Sequence, residues 1–134
     1  MIEAAFNALP DIIVSHGRHR PQAKALISEA GAWTWAELDR RIQSAATLLH
    51  EAHVQRGNRI ALLSTNRGEA YVAALAALRA GAVAVPISPL LTPAQIGAIL
   101  EDANPAAIFV DPILESLFTA AQAVSAASHN AKVI

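Results

Sequence analysis

The sequence predicts an α/β fold: a mostly parallel sheet flanked by helices, preceded by an N-terminal β-hairpin. Three observations carry this expectation. From residue 59 onward, short apolar runs alternate with segments of helical period. Two capping boxes, Thr34 with Glu37 and Thr92 with Gln95, mark helix starts between such runs. Breaks at Arg56-Gly57-Asn58 and Gly81 punctuate the alternation.

Taken in order, residues 2–19 read as helical, with Ile2, Phe6, Leu9, Ile12 and Ile13 on the apolar face. Pro10 predicts a kink or two short helices there, and His19-Arg20-Pro21 a stop. Ala25–Ser28 and Ala32–Trp35 are expected to pair as a hairpin through Glu29-Ala30-Gly31. Leu38, Ile42, Ala45, Leu49 and Ala52 then form one helical stripe. Arg59–Ser64 reads as a buried strand, and Glu69–Ala80 as a helix ended by Gly81. Ala82–Ile87 is the next strand. Pro93 opens a helix carrying Ile96, Ile99, Leu100 and Ala103. Ala107–Val110 is a strand, and Asp111-Pro112 is expected to cap a helix bearing Ile113, Leu117, Phe118, Ala121 and Val124. The Ala-rich stretch 116–128 reads as amphipathic helix, and Ala131–Ile134 as a further apolar run. Residues 1–134 are therefore expected to form a single α/β unit.

Composition narrows the function. The chain has 134 residues, 54% of them hydrophobic, with 31 alanines and a formal net charge of -1. So apolar and charge-poor a chain is not disordered. No basic run offers a nucleic-acid footprint. Without Cys there is no disulfide framework and no thiol nucleophile. The N-terminus lacks a signal-peptide pattern, so the protein is expected in the cytoplasm. The uncharged stretch Ala80–Leu100 has the length of a membrane span, but Pro86, Pro89 and Pro93 argue against a spanning helix.

A parallel sheet places ligands at the carboxyl ends of its strands. Three loops are expected there: Thr65–Gly68, Ser88–Thr92 and Asp111-Pro112. The six glycines form neither G-x-G-x-x-G nor a P-loop, and the two lysines, Lys24 and Lys132, follow no Gly-rich turn. Asn66 and Arg67 precede a helix, where an anion could bind. The simpler reading makes Asn66 or Thr65 the cap and leaves Arg67 in solvent. His16/His19 and His50/His53 are spaced three apart, but each pair lies near a helix end with no supporting carboxylate or Cys, so no metal site is expected. Ser15 and Ser64 lack a nucleophile elbow. Asp39 and Asp102 are expected on solvated helix faces. Trp33 and Trp35 read as packing on one side of a strand.

The order of motifs resembles the adenylate-forming (AMP-binding) enzymes, which include acyl- and aryl-CoA ligases, luciferases and peptide-synthetase adenylation domains. Trp33-Thr34-Trp35-Ala36-Glu37-Leu38 is similar to a signature near their start. Arg56-Gly57-Asn58-Arg59-Ile60-Ala61 resembles their entry into a strand, followed by the matching Asn66 and Glu69. Leu78-Arg79-Ala80-Gly81-Ala82-Val83-Ala84-Val85-Pro86-Ile87-Ser88-Pro89 resembles the family's second core motif. Leu91–Ile96 and Asp102–Pro105 continue in register. Two departures stand out: Asn58 replaces the usual Asp, and His53 replaces a Gly before Val54.

The resemblance implies the N-terminal part of an acid–CoA ligase, closest in look to those for fatty or aromatic acids. Such an enzyme adenylates a carboxylic acid with ATP and Mg, then transfers the acyl group to coenzyme A. It also implies that the phosphate loop, the Mg-holding acid and the catalytic Lys lie downstream. No catalytic or metal residue is then expected within 1–134, none of these cofactors should bind this chain tightly, and the chain alone should be inactive. Thr34, Glu37, Asn66, Glu69, Gly81 and Pro86 would be structural. Ser88, Pro89 and Leu90 would lie at the edge of a coenzyme A or substrate entrance. The final apolar run, Lys132-Val133-Ile134, is expected to break off inside a strand and leave surface open to self-association. The alternative is a complete small α/β module that binds a partner without catalysis.

Overall fold

The computed structural model describes residues 8–125 and 131–134. The helical reading of residues 2–7 and of 126–128 lies outside them. The elements run α1 (Leu9–His19), β1 (Lys24–Ser28), β2 (Gly31–Thr34), α2 (Trp35–Glu51), β3 (Arg59–Leu63), α3 (Gly68–Arg79), β4 (Val83–Ile87), α4 (Pro93–Ala103), β5 (Ala107–Val110), α5 (Glu115–Gln122) and β6 (Lys132–Val133).

β1 and β2 form an antiparallel hairpin, and β3–β6 a parallel sheet in the order β4-β3-β5-β6. The first crossover, from β3 to β4, runs one way along the sheet, and the later ones run the other way. Helices therefore fall on both faces. On one face Ile60, Leu62 and Ala107 pack with Ile13, Ile42, Leu49, Ala73, Ala76 and Ala77 of α1–α3. On the other, Ala61, Leu63 and Ile108 pack with Ile96, Leu100, Phe118 and Ala121 of α4 and α5. The period-2 alternation along β3 sends successive side chains into opposite cores. Each fully buried Ile or Leu contributes about 1.5–3 kcal/mol by leaving water.

Both capping boxes form. Thr34 Oγ1 accepts from Glu37 N–H at 3.3 Å while Glu37 Oε2 accepts from Thr34 N–H at 2.8 Å. Those bonds from Thr34 hold the Glu37 carboxyl below its usual range. Thr92 and Gln95 repeat the exchange at α4. Arg59 caps the other end of α4, donating to Ala103 O at 3.3 Å.

Several local expectations need correction. Pro10 does not kink a helix. It sits in the first turn of α1, where its missing N–H has no intrahelical partner to lose. Of Leu9, Ile12 and Ile13 only Ile13 is buried. Trp35 leaves the strand and starts α2, because the Thr34 cap turns the chain first. In α2, Ala46 is buried while Ala45 is only half-buried and Ala52 lies past the helix end. Asp111-Pro112 leads into a 3₁₀ turn, Pro112–Leu114, so α5 begins later and Ile113 and Val124 stay exposed.

The turns explain both family departures. His53 adopts φ 58°, a conformation that favours glycine. Asn58 Oδ1 accepts from Gln55 N–H at 2.8 Å, a role an aspartate would fill equally. Gly81 has φ 73°, and a Cβ there would meet Arg56 Cγ at 3.2 Å. Pro86 lies on β4, the sheet edge, where a strand tolerates a missing donor. No helix among the described residues is long and apolar enough to cross a membrane.

Candidate functional site

Because β3 leads to β4 on one side while β5 leads to β6 on the other, the carboxyl ends of β3 and β5 flank the point where the crossover direction reverses. Open α/β sheets form their ligand crevices at such points. A cleft of about 280 Å³ opens there, lined by Ser64, Arg67, Glu69, Ala70, Ala73, Phe109, Val110, Asp111 and Pro112.

Asp111 organises this end of the sheet. Its side chain is 1% exposed. Oδ2 accepts from Thr65 Oγ1–H at 2.7 Å, and Oδ1 accepts from Arg67 at 3.0 Å and from Ile113 N–H at 3.3 Å. Asp111 N–H in turn donates to Leu63 O at 2.9 Å. The Thr65 hydroxyl bond holds the carboxyl below its ordinary range against the opposing effect of burial, helped by Ile113 N–H and the Arg67 charge. The ionised Asp111 thus staples the β3–α3 loop to the β5–α5 loop. Arg67 Nε also approaches Glu69 at 3.5 Å.

Arg67 stays in solvent, its side chain 51% exposed, while its guanidinium reaches Asp111; the reading of Asn66 or Thr65 as the helix cap is overturned. The N-cap of α3 is Arg67 itself, without a side-chain cap bond. Asn66 Oδ1 instead accepts from Tyr71 O–H at 3.1 Å, and Thr65 spends its hydroxyl on Asp111. One signal could have revealed the staple: of the three carboxyl-end loops, one carries Arg67 and one carries Asp111, and these are their only charges.

Ser88, Pro89 and Leu90 stand apart from this network. They form a turn past β4, one strand further out, in which Leu90 N–H donates to Ser88 Oγ at 3.3 Å and the Leu90 side chain is 93% exposed. Asp39 is not on a solvated face: its Oδ1 accepts from Arg79 at 2.6 Å. Trp33 and Trp35 do not share a face. Trp33 covers the start of α3, where a Cβ on Gly68 would lie 2.6 Å from its ring, and Trp35 meets His16 at 4.5 Å. Ser64 Oγ donates to Thr65 O at 3.0 Å. Among the described residues no three His, Asp or Glu side chains converge as metal ligands would.

Could these residues hold a nucleotide triphosphate? A phosphate cradle needs backbone N–H groups that a ligand can approach closely. Gly57 and Gly81 precede β3 and β4, at the opposite end of the sheet, and Gly31 lies in the hairpin turn. Gly68 lies at the right end, but the Trp33 ring already fills the space beside it. The described residues do not fit a triphosphate.

Comparison with known proteins places these features in a family. Residues 14–133 match the AMP-binding enzyme family. A long-chain-fatty-acid–CoA ligase of Haemophilus influenzae is 33% identical over 106 residues, which cover 78% of this chain and 19% of the relative. A fatty acid–[acyl-carrier-protein] ligase, MmaC, of Mycobacterium marinum is 31% identical over 102 residues, 75% of this chain and 19% of the relative. A benzoate CoA ligase from Burkholderia xenovorans superimposes with a TM-score of 0.86 at 26% identity, covering 96% of this chain and 25% of that one. The chain thus spans about a fifth of the length of the two curated relatives. It belongs to the AMP-binding enzyme family.

Proposed function

We propose that the chain is the N-terminal α/β portion of an ATP-dependent acid–thiol ligase, and that it serves as scaffold without catalysing adenylation by itself. In the parent reaction a carboxylate oxygen attacks the α-phosphorus of ATP and pyrophosphate leaves. A thiol sulfur, that of coenzyme A in this reading, then attacks the acyl carbonyl, loses its proton, and AMP leaves. ATP and Mg are cofactors of that whole enzyme, and the carboxylic acid is its substrate.

One observation carries the scaffold reading. The charged groups at the crevice end of the sheet are already engaged with one another, Asp111 with Thr65 and Arg67. The turn Ser88-Pro89-Leu90 carries no charged side chain and exposes Leu90, which supports the reading of an outer edge of the thiol-substrate entrance. ATP–pyrophosphate exchange by the purified 134-residue chain, with fatty and aromatic acids as substrates, tests the proposal. The expected result is exchange equal to the protein-free blank. Exchange dependent on both acid and protein overturns the claim of inactivity.

A further inference from the structure

We propose that the cleft between α3 and β5 receives a small uncharged aromatic molecule, a role separate from adenylation. Small side chains make the space. Ala70 and Ala73, three residues apart on α3, line one side with single methyl groups and leave room that a larger side chain would fill. Phe109 and Val110 of β5, with Pro112, line the other. β5 is an internal strand, between β3 and β6, yet Phe109 and Val110 are only half-buried. The volume, about 280 Å³, lies at the lower end for small-molecule cavities and suits a single ring. Such a ring can pack offset or edge-on against Phe109.

The charged groups of the cleft decide the charge of the occupant. Asp111 is buried and bonded by Thr65, Arg67 and Ile113. Arg67 donates through Nη1 to Asp111, and its Nε lies 3.5 Å from Glu69. Two carboxylates thus face one guanidinium, and together they oppose an entering anion. A cation meets Arg67, and the less engaged carboxylate, Glu69, is 61% exposed, so water screens its attraction. Moving either charge out of water onto alanine, valine and phenylalanine surface gains no compensating pair. An uncharged ring escapes that cost.

Ser64 supplies a polar contact. Its hydroxyl donates to Thr65 O at 3.0 Å and keeps its own lone pairs for a hydroxyl or N–H on the ligand. A ring held there leaves the ligase reading untouched, since ATP–pyrophosphate exchange tests that reading by itself.

The test compares benzyl alcohol, benzoate and benzylamine, which share one ring and differ in charge at neutral pH. Each is titrated into the whole chain and read by saturation-transfer NMR. Benzyl alcohol is expected to bind with a Kd of about 1 mM, ordinary for so small a ligand, and the two charged analogues at least about tenfold more weakly. Amide shifts in the nitrogen–proton spectrum of the unsubstituted chain should centre on Ala70, Ala73, Phe109 and Val110, which locates the ring without any substitution. Ala70→Leu, with its fold checked by circular dichroism melting, should abolish binding by filling the cleft. If that variant melts early, the amide shifts and the charge series decide. No binding of benzyl alcohol at about 10 mM, equal or tighter binding of either charged analogue, shifts centred elsewhere, or unchanged binding to a folded Ala70→Leu chain would overturn the proposal.

Discussion

The loops that follow β4 and β5 occupy equivalent places, each at the carboxyl end of a parallel strand, yet they have opposite characters. The loop after β5 is anchored by a buried, ionised Asp111 bonded to three groups. The loop after β4 is an exposed turn held by its own backbone and Ser88, with Leu90 in solvent. Both strands neighbour β3, so the difference comes from the residues the loops carry: the loop after β3 directs Thr65 and Arg67 to Asp111 beyond β5, while the loop after β4 has no charged side chain to meet them. A carboxylate can be buried where a hydroxyl and a guanidinium converge on it.

The sharpest way to break this contrast is Asp111→Ala. It removes the acceptor for three donors and is expected to destabilise the chain by about 3 kcal/mol, read from the midpoint of urea unfolding. A midpoint equal to that of the unsubstituted chain would show that the staple contributes nothing. Next is Gly68→Val, which forces a branched side chain into the space of the Trp33 ring. We expect a loss of about 2 kcal/mol and altered Trp fluorescence.

Acid titration sharpens the same comparison. The folded Asp111 carboxyl titrates below its usual value of 3.8. Its stabilisation is therefore complete above the unfolded value, about 3.9, and is lost as pH falls through the depressed folded value. Below about pH 4 the unsubstituted chain should lose stability more steeply than Asp111→Asn. Parallel acid-unfolding curves would exclude Asp111 as the cause. The smallest effect belongs to the other loop. Leu90→Ser should change stability by less than about 0.5 kcal/mol, because the side chain is already in water. Away from both loops, His53→Gly should stabilise the chain by about 1 kcal/mol by relieving a positive φ, measured in the same urea series.

The sequence made most of the fold legible. Both capping boxes formed where Thr34–Glu37 and Thr92–Gln95 placed them, because caps depend on a few consecutive residues. The strand and helix alternation from residue 59 was readable for the same reason. The misplacements have local causes: Pro10 is harmless in a first turn, and a 3₁₀ turn delays α5 past Ile113. The candidate site was less legible. Asp111 and Arg67 are 44 residues apart, and no periodicity marks a pair joined across two strand ends. Trp33 and Trp35 looked like one face and became two, because a helix starts between them.

The sequence alone determined which segments are strands and helices, where the two capped helices begin, and that the chain resembles the adenylate-forming enzymes. These rest on short-range propensity and on motifs read along the chain. Strand order was decided only by the tertiary structure, and with it the Asp111 staple and the separation of Trp33 and Trp35 onto different sides. Electrostatics and hydrogen bonds act over a few ångströms of space, whereas the residues that meet here lie up to tens of positions apart in the chain.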